Sequence, residues 1–245
     1  MPIAKYLLDI TLPPRCPGCG IVQLQDNALC QKCWEDVNFI TDPQCNLCGL
    51  PFEINVTSEN KCASCLTHPP AFDKARAVFV YNDASKRLVL NLKHGDRLDI
   101  VGAISGWMMR VGSEFFEEDA PIIIPVPLHR RRLFKRRFNQ AGEISKSLSK
   151  KSGVSVELDL LKRIKNTIPQ GYFSAAKRRK NVTGAFAIDS KVKYKLKNRN
   201  IILLDDVITT GATAGACSKV LKNAGAAQVH VLCLARVAKP LISLN

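Results

Sequence analysis

The chain has 245 residues, 46% of them apolar and 23% charged, enough for one full domain with a smaller appendage, and the composition excludes a disordered chain. No stretch approaches the roughly 20 apolar residues that a membrane span needs, which excludes membrane insertion by a helix. The net charge of +15 is unevenly spread: residues 1–70 carry four Lys or Arg against seven Asp or Glu, a net of −3, and residues 71–245 carry 32 against 14, a net of +18. A part that basic attracts polyanions, so nucleic acid or a phosphorylated ligand comes first; an anionic membrane comes second, because no strongly amphipathic basic helix is evident.

In chain order, "MPIAKYLLDITLPPRC" has only a short apolar patch interrupted by Asp9. That is not the pattern of a secretory signal, and the expected compartment is the cytoplasm. Eight of the ten cysteines follow between positions 16 and 65 as four C-x-x-C pairs, "CPGC", "CQKC", "CNLC" and "CASC". In a reducing compartment such pairs favour metal over disulfides. Two knuckles make a closed four-thiolate zinc site with no open position, so the expected zinc is structural. Cys16, Cys19, Cys30 and Cys33 fit one site, and Cys45, Cys48, Cys62 and Cys65 the other; an interleaved pairing stays open. Redox use is the rival, but it needs one pair at a helix start rather than four. A region of about 70 residues with few large apolar side chains needs such a staple to fold. The expected division is therefore 1–70, cysteine-rich, and 71–245, an α/β domain.

From residue 75 the hydrophobic periods alternate between strand and helix. "ARAVFVY" (75–81) reads as a strand and "ASKRLVLNLKHG" (84–95) as a helix ending at Gly95. "LDIVGAISGWMMRVG" (98–112) places Ile100, Ile104, Trp107, Met108 and Val111 on one helical face. "PIIIPVPL" is a short buried strand stopped by prolines, and "FNQAGEISKSLSKKSG" a helix closing at Gly153. "AFAID", "IILLDD" and "QVHVLCLAR" are further strands, with the helix "ATAGACSKVLKNAG" before the last. Strands without polar alternation, separated by helices, predict a largely parallel sheet covered on both faces. Cys217 and Cys233 fall in apolar patterns and read as core. His68, His94, His129 and His230 show no metal spacing.

The stretch "IILLDDVITTGATAGAC" (201–217) carries the chemistry. A central strand runs into two acids, then into a loop of small residues opening a helix, at the strand end where open α/β sheets bind ligands. The amides and hydroxyls of Thr209, Thr210, Gly211, Ala212 and Thr213 suit a phosphate at the positive end of the helix. No lysine follows the glycine, so this is not a nucleoside triphosphate loop. Asp205 and Asp206 would repel a phosphate and suit neutral hydroxyls or a metal. A phosphate joined to a vicinal diol is a ribose 5-phosphate. The plainer reading is an ordinary strand–turn–helix with two exposed acids.

The basic run "HRRRLFKRR" is followed by Phe138. Arg130, Arg131, Arg132, Lys135, Arg136 and Arg137 beside an aromatic ring suit single-stranded nucleic acid, the cations tracking phosphates while the ring stacks on a base. The alternative is a solvated loop whose only task is holding pyrophosphate. "AKRRK" and "KVKYKLKNR" are weaker signals.

The two acids with "TTGAT" resemble the phosphoribosyl pyrophosphate (PRPP) motif of type I phosphoribosyltransferases. That resemblance implies that Asp205 and Asp206 contact the ribose hydroxyls and that Thr209, Thr210, Gly211, Ala212 and Thr213 hold the 5-phosphate. "CPGC…CQKC", "LKHGD", "PVPLHRRRLFKRRFNQA", "RIKNTIPQ" and "RRKNVTGAF" occur in the order found in ComF family proteins, the competence-associated group that includes GntX-like proteins. The resemblance implies an α/β phosphoribosyltransferase-like fold behind a double zinc ribbon, with Pro125, Val126, Pro127 and Leu128 as the pyrophosphate loop and magnesium accompanying PRPP. It further implies a cytoplasmic protein that binds PRPP and handles single-stranded DNA during DNA uptake in natural transformation, beside a helicase at the inner face of the membrane. An active phosphoribosyltransferase for a base or amine is the second reading, and a ribose-phosphate sensor without chemistry the third. The family hands over no agreed acceptor.

Overall fold

The computed structural model describes residues 13–54, 60–94, 97–167 and 175–238. A five-stranded sheet organises the chain, built from β1 (Lys74–Val80), β2 (Pro121–Pro125), β3 (Ser155–Val156), β6 (Asn200–Ile208) and β7 (Gln228–Arg236). Its order is β1-β7-β6-β2-β3, and every pairing in it is parallel. Parallel neighbours need crossover helices, and these lie on both faces as the uninterrupted apolar strands require.

One face buries Ile122, Ile124, Ile201, Leu203 and Val231 against Ala214, Cys217 and Leu221 of α9 (Ala212–Asn223). The other buries Ile123, Ile202, Leu204 and Leu232. Against it pack Leu88 and Leu92 of α3 (Asp83–His94), Ile104 and Met108 of α4 (Val101–Val111), and Ile144 and Leu148 of α7 (Gln140–Ser152). The short α5 (Ser113–Phe116) follows α4 and buries Phe115, which stacks on the β7 residue His230 at 4.6 Å between ring centroids. His230 also pairs with Glu118 at 2.9 Å, a core role rather than a metal-binding one. Ile104 and Met108 are fully buried and Trp107 and Val111 partly so, as the helical period of that segment requires. α7 closes at Gly153 in the left-handed conformation, φ 75°, where a side chain would be strained. Cys217 and Cys233 are fully buried.

The structure corrects one local assignment and supplies two that the sequence leaves open. "AFAID" supplies β5 (Phe186–Ile188), but it pairs antiparallel with β4 (Leu161–Arg163) in a separate two-stranded sheet. Three residues bury too little to reveal their partner locally. The basic run is a helix, α6 (Arg130–Arg136), not a loop. Its residues are good helix formers without glycine or proline, and His129 caps it, its Nδ1 accepting from the Arg131 amide at 3.3 Å. "AKRRK" lies on α8 (Ala175–Val182), which packs against α9. Gly95, where α3 was expected to end, lies outside the described residues. Among the described residues, no helix is long and apolar enough to cross a membrane.

The cysteine-rich part folds as two near-copies on the sheet. In each, the residue after the second cysteine of the first pair is a left-handed glycine, Gly20 at φ 79° and Gly49 at φ 66°. Their amides donate back to Cys16 O at 2.9 Å and Cys45 O at 2.8 Å. The second pair of each copy opens a short helix, α1 (Gln31–Asp36) and α2 (Ala63–Thr67).

Candidate functional site

The strand order sets where a ligand can sit. β2 and β6 are neighbours, but the chain leaves β2 toward β3 and leaves β6 toward β7. Beyond their carboxyl ends the connections diverge, which opens a crevice at the switch point of the sheet. β6 pairs with β2 only as far as Pro125↔Leu204, while its pairing with β7 continues to Ile208↔Arg236. Asp205 and Asp206 therefore lie on the last part of β6, still held from one side and released on the other.

That crevice is a cleft of about 480 Å³. Asp205, Asp206, Thr209 and Thr213 line one wall, and Val126, Pro127 and Leu128 line the other, while Pro125, expected with them, is the buried last residue of β2 and does not line the cleft. The Val126 amide donates to Leu204 O at 2.8 Å and the Asn139 side chain donates to Val126 O at 3.1 Å, so Val126 is held through both of its backbone polar groups. Thr210, Gly211 and Ala212 make the turn into α9 instead of lining the cleft. Gly211 adopts φ 74° as the N-cap and no side chain caps that helix, leaving its first amides available to an anion.

Cations reach the acids from three separate elements. Lys93 of α3 pairs with Asp206 at 2.6 Å, both side chains about one-fifth exposed. Arg132 and Arg136, one helical turn apart on α6, face the cleft. Arg132 is tied down by donating to Thr167 O at 2.6 Å. Arg163 of β4 borders it as well, its guanidinium 5.3 Å from the Phe186 ring centre and donating to Thr167 Oγ1. Burial, and then the neighbouring Arg132, push the Arg163 pKa down. Burial, with the Asp206 charge added, pushes the Asp205 carboxyl up to about 7 against the pull of Lys93 and Arg163. The Asp206 amide donates to Asp205 Oδ1 at 2.9 Å, holding one oxygen in place. Lys93, Arg163, Arg178, Tyr81 and Asn139 also lie in the cleft. All but Tyr81 fall in segments that carry the family resemblance, but the sequence reading assigns them no role, and only their long-range placement shows it.

α6 divides the basic run between two surfaces. Arg130, Leu133, Arg137 and Phe138 turn away from the acids into a second groove, and Arg131 is exposed. Phe134 is 91% exposed and Phe138 half-buried. The Lys135 side chain lies outside the described residues.

The cysteines assemble as two separate clusters, Cys16, Cys19, Cys30, Cys33 and Cys45, Cys48, Cys62, Cys65, the four sulfurs of each within 4.8 Å of one another. The pairing is thus sequential and not interleaved. A zinc ion bound at about 2.3 Å by four sulfurs would hold them about 3.8 Å apart; Cys19 and Cys30 stand at 3.6 Å, as do Cys48 and Cys62. Backbone amides of Cys30 and Cys62 donate to the sulfurs of Cys16 and Cys45, each at 3.3 Å, and such contacts orient thiolate ligands. None of the eight forms a disulfide. The donor set fits two closed zinc sites with no position left for a substrate.

The double zinc ribbon domain family matches residues 7–66, and the phosphoribosyl transferase domain family matches residues 141–241. Competence protein F of Haemophilus influenzae is 31% identical over 227 residues, covering 91% of this chain and 96% of that protein. The DNA utilization protein YhgH of Escherichia coli O157:H7 is 30% identical, covering 93% of this chain and 99% of the relative. Competence protein ComFC of Bacillus subtilis is 27% identical, covering 82% of this chain and 81% of its own. With 31% identity to Competence protein F over nearly the whole of both chains, a double zinc ribbon in front and a phosphoribosyltransferase-like sheet behind, the chain belongs to the ComF family.

Proposed function

We propose that the protein binds PRPP in the cleft at the switch point and handles single-stranded DNA on its basic face, as part of DNA uptake in natural transformation. The observation that carries the reading is the convergence on one cleft of two stretches far apart in sequence: the acid pair with its threonine turn, and residues 126–136, which supply the proline loop and Arg132 with Arg136. In it, Asp205 and Asp206 accept hydrogen bonds from the ribose hydroxyls. Thr209, Thr210, Gly211, Ala212 and Thr213 enclose the 5-phosphate at the start of α9. Val126, Pro127 and Leu128 face the pyrophosphate, with magnesium and Arg132 and Arg136 balancing its charge. The zinc ions of the two cysteine clusters are structural. The names of the relatives, a competence protein and a DNA utilization protein, support the DNA half of the reading, as does the excess of positive charge after residue 70. The site of action is the cytoplasmic side of the inner membrane, beside the competence helicase.

A second reading, a phosphoribosyltransferase, is favoured by the two arginines facing the position of the leaving pyrophosphate, since neutralising that charge assists loss of the group. Calorimetry with PRPP and magnesium tests the first half of the proposal. Pyrophosphate release from PRPP in the presence of a panel of bases and amines separates the enzyme from the binding protein. Failure of the intact protein to bind PRPP would overturn the cleft assignment.

A further inference from the structure

On the far side of α6 lies the second groove, about 740 Å³ in volume, within the roughly 300–1,000 Å³ of typical small-ligand sites. Pro127, Leu128, Asn139 and Arg163 border both cavities, so the two share a wall. The lining of the groove is of two kinds. Leu133, Phe138 and Ile164 offer apolar surface, and Leu133 and Ile164 remain 40% and 59% exposed. Arg130, Arg137 and Lys162 stand around this surface, at the start of α6, just past its end, and on β4. None of the three has an ion-pair partner among the described residues. Two carboxylates also line the groove. Glu143 is held by Lys146 at 2.8 Å, which leaves Asp159 as the one without an ion pair among the described residues.

Arg130, Arg137 and Lys162 are exposed and hydrated, so they cost nothing unpaired, but their placement around an open apolar surface selects what can bind there. A ligand that satisfies both has a flat apolar body and more than one negative group. A fatty acid would offer the groove a single carboxylate for cations at both ends of α6 and on β4, whereas phosphates spaced along a strand reach all three. We propose that this groove is a nucleotide-binding site distinct from the acid-pair cleft: a base lies against Phe138 and Leu133, and its phosphates meet Arg130, Arg137 and Lys162. The ligand is a stretch of single strand, since the one phosphate of a free mononucleotide meets the same objection as a fatty acid. The proposal rests on reading the basic face as a nucleic-acid surface, and it assigns that function to the groove rather than to the whole of α6.

The test uses the full zinc-loaded chain and the charge reversals Lys162→Glu and Arg137→Glu, both at exposed positions, with circular dichroism and PRPP affinity as controls for the fold. Fluorescence anisotropy is measured with an oligothymidylate of about ten nucleotides and with dAMP. The reversals should lower affinity for the bound probe at least roughly tenfold while PRPP affinity stays within about twofold, because neither residue lines the acid cleft. Phe138→Leu, which keeps an apolar side chain but removes the ring, should also cost roughly tenfold because the base has nothing to stack on. Binding of the strand well above that of dAMP supports the groove as a strand site; comparable binding of both would show that one phosphate suffices and overturn the three phosphate contacts. Wild-type strand binding that is insensitive to all three variants overturns the groove and leaves the broader DNA reading intact. No binding of either probe overturns both, and binding of a fatty acid or anionic vesicles in their place overturns the ligand class.

Discussion

Arg236, the last residue of β7, donates from Nη2 to the sulfur of Cys48 at 3.2 Å. The contact joins the second cysteine cluster to the strand beside the acid pair, because Arg236 is in register with Ile208, three residues before Gly211. Phe72 completes the link from below: a side chain built on Gly211 would meet its ring at 3.5 Å. Cys45, Cys48, Cys62 and Cys65 belong to the same apolar cluster as Phe72, Ile208 and Ala214, while Cys16 and Cys33 pack with the α3 and α4 side of the sheet.

The two metal clusters should therefore support different parts of the α/β domain. A structural zinc site orders its surroundings as it binds. Cys62→Ser should release one zinc, speed hydrogen exchange over residues 208–214 and weaken PRPP binding. Cys30→Ser should release the other zinc and loosen α3 and α4 while exchange over 208–214 stays slow. Elemental analysis with exchange mass spectrometry checks both. Unchanged exchange over 208–214 after loss of the second zinc would show that Arg236 and Phe72 transmit nothing.

The acid pair should be indispensable for PRPP and dispensable for the fold. Replacing Asp205 and Asp206 together with Asn removes the charged acceptors for the diol, each charge-assisted hydrogen bond contributing about 1.5–3 kcal/mol. Calorimetry should detect no PRPP binding by the double variant, with circular dichroism unchanged. Retained affinity would remove these residues from the ligand site.

Asp205 alone should trade stability for function. Burial, then Asp206, raises its folded pKa to about 7, against about 3.9 in the unfolded chain. Between those values the folded state holds a proton that the unfolded state has given up, so this group makes stability fall as pH rises toward 7. Without ligand or magnesium, Asp205→Asn should raise Tm at pH 8 by at least about 2–4 °C, the equivalent of 1 kcal/mol for a chain of this size. The gain should shrink as pH is lowered toward about 5.5. A gain independent of pH would mean that Asp205 is charged in the folded protein throughout that range.

Much of this was legible in the sequence because it is written in short, contiguous signals. Residues 201–217 carry strand, acids, turn and helix in one run, and four C-x-x-C pairs need only their spacing to suggest two clusters. What stayed hidden depends on partners far along the chain. Lys93 lies 113 positions from the carboxylate it pairs with, and nothing in "LKHGD" marks it as the partner of an acid on β6. Arg163 is one basic residue among many until β4 pairs with β5 and brings it to the cleft. The basic run conceals its own division for the same reason. Its composition is uniform, and only a helix separates Arg132 and Arg136 from Arg130 and Arg137.

That division predicts that α6 can be dissected by face. Arg132→Ala with Arg136→Ala should weaken PRPP binding by roughly tenfold or more, since each substitution removes a charge-assisted hydrogen bond of about 1.5–3 kcal/mol. Single-stranded DNA affinity should change little, because both side chains point into the cleft. Arg130→Ala with Arg131→Ala should do the reverse, weakening DNA binding equally for every sequence, because cation–phosphate contacts carry no base information. The slope of log affinity against log salt should fall by about 0.7 for each phosphate that is no longer neutralised. Phe134 refines the test. At 91% exposed it is open to a base on the outer side of α6, while Phe138 is half-buried in the groove wall. Alanine at either position should leave the salt slope unchanged, and the ring that stacks on a base should cost about 1–3 kcal/mol on removal. Should the Arg132 and Arg136 pair govern DNA affinity and leave PRPP binding untouched, the cleft would have to be reassigned to the strand and the PRPP reading given up.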